Sequence, residues 1–210
     1  MKHFPSPSAA EIRQFRPNQY LVQPGETPHA YLKLVEGWAC RFRLLTDGRR
    51  QITALFLPGE YCEPQWGLGQ APRQPIVALT TVRAYSEPMS DTGASALVLQ
   101  ALVTMLDRQN EWIVSLGRKS ATERLAGLFC DLFDRMKAAG LTYGNQCAMP
   151  LTQIDIADIG GLTSVHVNRV LQGLRKHRVM DLRSKWLSIQ NMEALRRLAL
   201  LPAGLTQTAA

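Results

Sequence analysis

The 210-residue chain is short of clustered cysteines, of long apolar runs and of acid to balance its base. Its four cysteines, Cys40, Cys62, Cys130 and Cys147, are separated by 22, 68 and 17 positions, with no CxxC pair among them. A zinc ribbon or an iron–sulfur cluster therefore has no local ligand spacing to rest on, and no metal or other cofactor is expected. The opening MKHFPSPSAAEIRQF contains no apolar core of signal-peptide length, which argues against secretion. No apolar run approaches the roughly 20 residues that cross a bilayer, so no membrane partner is expected. Buried, reduced thiols in a cytoplasmic protein fit this set of absences. There is also no P-loop, no nucleophile–base constellation and no metal-ligand spacing, and an enzyme is not expected.

What the chain does hold is base. It carries 24 Lys+Arg against 17 Asp+Glu, a net charge of +7. Residues 1–117 carry 11 basic and 10 acidic side chains, whereas residues 118–210 carry 13 and 7. The excess thus belongs to the C-terminal 93 residues, at +6 of the total. A solvated basic face accounts for such an excess unless a binding motif coincides with it.

The two portions also differ in period. Residues 19–87 read as short strands: AYLKLVEG (30–37), WACRFRLL (38–45), RQITALFL (50–57) and IVALTTVRAYS (76–86). Asp47-Gly48 is a hairpin signal, and Pro24-Gly25 and Pro58-Gly59 mark further turns. This pattern predicts a small antiparallel roll or barrel. From Ser95 the period becomes helical. Val98, Leu102, Met105, Gln109, Trp112 and Leu116 are spaced 4, 3, 4, 3, 4, and Leu99, Leu106 and Ile113 repeat at seven. The first six are read as a self-association seam, with Gln109 fixing register. A second helix opens at Ser120, whose capping box closes with Glu123, and ends near Gly140.

The most specific segment is LTQIDIADIGGLTSVHVNRVLQGLRKHRVM, residues 151–180. Thr152 can cap a helix of about two turns with Ile154, Ile156, Ala157 and Ile159 inward. Gly160-Gly161 breaks it, and Thr163 can cap a second helix with Val167, Val170, Leu171 and Leu174 as its apolar stripe. Two capped helices about a glycine turn form a helix-turn-helix. Its outer face presents Ser164, Val165, His166, Asn168, Arg169 and Gln172, and Arg175, Lys176 and Arg178 crowd its last turns. Residues 180–190 then read as two strands around Arg183-Ser184-Lys185, a basic wing for phosphates. Such a helix fits the major groove, where Arg can grip guanine bidentately while Lys and Arg neutralise phosphates.

Taken together, GWACRFRLLTDGRRQITALFLPGEYCE (37–63), the helix at 95–119 and the reader segment resemble the Crp/Fnr superfamily of bacterial transcription regulators. The resemblance implies an α+β chain: a β-roll sensor at 1–94, a dimerisation helix at 95–119 and a winged helix-turn-helix at 120–210. It also implies a homodimer on a palindromic operator in double-stranded DNA, contact with RNA polymerase and a small-molecule effector at the roll. Arg169 falls where the family's recognition helix contacts guanine, Gln153 where a phosphate contact is common, and Thr163 at the cap. Ser164 and Val165 depart from the family's usual Arg-Glu or Val-Glu, which leaves His166 and Asn168 to shape a different half-site. Glu63 and Arg73 keep the ten-residue spacing of the nucleotide-binding members, without the neighbouring glycine and hydroxyl and with proline on both sides. His3, His29 and His177 read as surface histidines.

Overall fold

A computed structural model of the chain describes residues 11–26, 30–68, 71–88 and 96–201. His3 and His29 lie outside the described residues, and His177 is exposed. The chain separates into two compact units, Met1–Arg43 with Ala54–Leu106, and Leu44–Thr53 with Asp107–Ala210.

The first unit is built on antiparallel strands. β1 (Glu11–Phe15), β8 (Val82–Pro88), β3 (Ala30–Glu36) and β6 (Tyr61–Cys62) form one sheet in that order. β2 (Tyr20–Val22), β7 (Ile76–Ala78), β4 (Ala39–Leu44) and β5 (Arg50–Phe56) form another. Alternation along these strands turns Leu32, Leu34, Phe56, Ile76, Val82 and Ala84 into one buried cluster closed by Trp66. The expected roll is there, with one strand more at its start, since EIRQF carries too few apolar side chains to announce a strand. Between β6 and β7 a short 3-10 helix, Pro64–Leu68, follows Glu63. Gly37 is obligatory: its φ is +83°, and a Cβ there would stand 2.1 Å from the Thr81 carbonyl oxygen.

α1 (Ala96–Arg118) is one continuous helix of 23 residues. Its predicted seam is the less exposed of two neighbouring stripes. Val98 is 1% exposed, and Leu102, Met105, Gln109, Trp112 and Leu116 are half-buried. The exposed stripe is one residue further on: Leu99, Val103, Leu106, Asn110 and Ile113, again spaced 4, 3, 4, 3. Moving one residue rotates a helix face by about 100°, so both stripes satisfy the same spacing and only packing separates them.

In the second unit, α2 (Ala121–Ala138) begins at the expected Ser120–Glu123 capping box and buries Leu125, Leu128, Phe129, Leu132 and Phe133. β9 (Thr142–Tyr143), β10 (Gln146–Ala148), β12 (Trp186–Ile189) and β11 (Met180–Arg183) form a third antiparallel sheet in the order β11-β12-β10-β9. Its inner face buries Cys147, Met180, Leu187 and Ile189. α3 (Gln153–Gly160) and α4 (Ser164–Lys176) sit between β10 and β11 in the chain, and α5 (Met192–Leu198) follows β12. Among the described residues no helix is long and apolar enough to cross a membrane.

Candidate nucleic-acid interface

Local chemistry sets the ends of α3 and α4. Thr152 caps α3 with its hydroxyl oxygen accepting from the Asp155 amide at 3.1 Å, and Asp155 Oδ2 accepts from the Thr152 amide at 2.9 Å. Two free N–H groups at the helix start are thereby satisfied. Gly161 ends α3 at φ +61°, and the Leu162 amide donates to the Ala157 carbonyl at 3.0 Å. That is the left-handed exit that glycine takes without cost. Thr163 then caps α4, accepting from the His166 amide at 3.3 Å, and its hydroxyl lies 3.2 Å from His166 Nδ1. Val167, Leu171 and Leu174 bury the inner side of α4, while Val170 is half-buried. Ile156 and Ile159 are buried in α3, but Ile154 is 63% exposed. Ile154 and Ile156 stand about 200° apart around the helix, so both cannot face the core.

The outer faces of α3 and α4 meet in a concavity of about 390 Å³ lined by Gln153, Ser164, Val165, Asn168, Arg169 and Gln172. Gln153 Oε1 accepts from Asn168 Nδ2 at 3.4 Å, which ties the two helices across its floor. Arg169 is exposed there, and its guanidinium has no hydrogen-bond or ion-pair partner among the described residues. Lys176 and Lys185 are exposed in the same way. Arg175 and Arg183 are not free. Arg175 Nε donates to Asp181 Oδ1 at 2.6 Å, and Arg183 Nε pairs with Asp181 Oδ2 at 2.9 Å. One carboxylate therefore orients a cation from the recognition helix and one from the wing. Sequence reasoning missed Asp181, although an acid two positions before Arg183 on a strand shares its face. The wing turn is Ser184-Lys185, both left-handed at φ +49° and +62°.

The predicted sensor residues also converge. Glu63 and Arg73 line one cavity of about 280 Å³ together with Arg41, Gln65, Trp66 and Gln74. Glu63 is 3% exposed, and its carboxylate accepts from Arg41 Nη1 at 2.7 Å and from Gln65. Burial pushes the Glu63 carboxyl above its ordinary range, and the Arg41 charge opposes that rise. Arg73 is exposed at the rim. Arg41, on β4, was not foreseen, because nothing in its strand marks it as the partner of a residue 22 positions away. Gln65 Oε1 and Trp66 Nε1 are buried here with no hydrogen-bond partner among the described residues. Pro64, Pro72 and Pro75 flank the cavity and offer no N–H groups to an anion.

A capped helix pair about a glycine turn, followed by a two-stranded basic wing, defines a winged helix-turn-helix. The profile of the Crp-like helix-turn-helix domain matches residues 123–198, and that of the cyclic nucleotide-binding domain matches residues 12–92. The nitrogen fixation regulation protein FixK of Rhizobium meliloti is 29% identical over 188 residues, spanning 89% of this chain and 86% of the relative. The transcriptional activator protein FnrL of Cereibacter sphaeroides is also 29% identical, over 82% of this chain and 73% of its own. The solved structure of FixK2 from Bradyrhizobium japonicum superposes with a TM-score of 0.75 at 26% identity, covering 93% of this chain and all of that one. The chain belongs to the Crp/Fnr family of helix-turn-helix transcription regulators, a family of regulators and not of enzymes.

Proposed function

We propose that the protein acts in the cytoplasm as a homodimer on palindromic duplex DNA, each protomer placing α4 in the major groove. Arg169 grips guanine O6 and N7, while Ser164, His166 and Asn168 meet neighbouring base edges and Thr163 holds the helix start. Gln153, Arg175, Lys176, Arg183 and Lys185 take phosphates. The division of labour follows the three segments 1–94, 95–119 and 120–210. The dimer forms along the exposed stripe of α1, from Leu99 to Ile113. The cavity at Glu63 and Arg73 receives a small-molecule signal that sets DNA affinity, and the bound dimer contacts RNA polymerase. The observation that carries this reading is the exposed, unpartnered Arg169 guanidinium in the concavity between two capped helices.

Selection of bound duplexes from a random pool, followed by gel shifts across a salt series, tests it. Arg169→Ala should cost the selected site about five- to 150-fold in affinity. Lys176→Ala should weaken all sequences alike and lower the salt slope by about one. Absence of salt-sensitive binding to any duplex overturns it.

A second reading is a ligand-binding module that acts through protein contacts. It draws on the buried, unpartnered Gln65 and Trp66 groups in the roll cavity. Calorimetry with cyclic nucleotides separates the two, since tight ligand binding without DNA affinity favours the module.

A further inference from the structure

Val165 stands apart from its neighbours. It is 65% exposed in the first turn of α4, and it shares the concavity with polar Gln153, Ser164, Asn168, Arg169 and Gln172. A single exposed valine elsewhere on a surface would need no explanation. Here it lies four positions before Arg169, on the same face and one helical turn away. The first turn of α4 contains no Asp or Glu. The face therefore has no carboxylate to accept from the cytosine N4 amino group. What it offers one turn from the guanine-gripping arginine is a branched aliphatic group. A valine on a helix is held largely to one χ1 rotamer, so the isopropyl group keeps a fixed direction. In the major groove the one apolar feature of a base edge is the 5-methyl group of thymine.

We propose that Val165 is a specificity-determining residue whose isopropyl group packs on a thymine 5-methyl group close to the guanine held by Arg169. Four helical residues span about 6 Å, and stacked base pairs are about 3.4 Å apart, so the thymine lies within about two base pairs of that guanine. The inference rests on α4 being the major-groove reader.

The test uses the full-length protein and the duplex selected from a random pool. Each thymine of the half-site is replaced in turn by deoxyuridine, which removes only the methyl group. At one position the replacement should weaken wild-type binding about three- to ten-fold. Val165→Ala should bind the thymine and deoxyuridine duplexes alike while keeping its helical circular dichroism. Reselection with Val165→Glu should exchange that thymine for cytosine, since a carboxylate accepts from N4. Binding that ignores every methyl group, or an undiminished penalty in Val165→Ala, overturns the assignment of Val165 and leaves the reader intact. Failure of wild-type protein to bind any duplex removes the reader and this assignment together.

Discussion

Arg50 Nη2 donates to Asp155 Oδ1 at 2.7 Å, joining residues 105 positions apart in the chain. Arg50 Nε also donates to Asp158 Oδ2 at 2.6 Å, and Gln51 Nε2 to the Ile159 carbonyl at 3.0 Å. At the helix end, Arg124 Nη1 donates to the Gly160 carbonyl at 2.6 Å. The hairpin tip Leu44–Thr53 belongs to the second unit, and through these bonds it grips the first helix of the reader. Asp155 does double work, because its other oxygen closes the capping box with Thr152.

Removing that carboxylate should therefore cost more than removing its neighbour. Asp155→Ala breaks the carboxylate half of the capping box and the ion pair with Arg50, a loss of about 2–4 kcal/mol. Asp158→Ala, whose cap is intact, should cost about 1 kcal/mol. Urea unfolding of the full chain reads the difference, and amide exchange in α3 should quicken in Asp155→Ala. Equal costs for the two would show that the carboxylate half of the capping box contributes nothing.

The stripe on α1 makes a second expectation. Ile113 is 68% exposed and Leu106 49%. A glutamate at either position puts like charges face to face across a two-fold seam. Ile113→Glu and Leu106→Glu should sediment as folded monomers at micromolar concentration and lose the advantage of a palindrome over its half-site. Val98→Ala, on the less exposed stripe, should lower stability by about 1–3 kcal/mol and leave association unchanged. The opposite pattern would return the seam to Val98, Leu102, Met105, Gln109, Trp112 and Leu116.

All four cysteines are buried thiols outside any disulfide. Burial pushes the Cys130 thiol up to about 12, against the opposing charge of Arg196, and the Cys147 thiol up to about 11. Burial and the Glu63 charge carry Cys62 well above its ordinary value. The thiolate is the reactive form, so both thiols are held in their unreactive form at pH 8. Native protein should react negligibly with a disulfide reagent at pH 8, and reactivity should rise about tenfold per pH unit while the fold persists. In guanidinium all four should titrate. A fast-reacting thiol in the native protein would instead point to a redox role.

Much of the reader was legible because its signals are local. Thr152, Gly161 and Thr163 act within four residues of themselves, and Asp47-Gly48 makes its turn within a hairpin. The α2 capping box at Ser120 and Glu123 is of the same kind. What escaped depended on distance or on rotation. Arg41 with Glu63, and Arg50 with Asp155, are pairs whose members carry no mark of each other in sequence. Asp181, which orients Arg175 and Arg183, was overlooked as a lone acid in a basic segment. The exposure of Ile154 is a rotational question, and spacing fixes a period without fixing its phase.

The wing turn has one more consequence. Ser184 and Lys185 are held at positive φ, where a residue with a Cβ costs on the order of 1 kcal/mol and Asn-Gly would fit without strain. The tip thus spends conformational energy to keep an ammonium group at its apex. Lys185→Gly should raise the melting temperature by a few degrees while weakening DNA binding and lowering its salt slope by about one. Thermal melts and gel shifts on that one variant would move in opposite directions. Rigidity and grip are thereby separable at a single position of the wing.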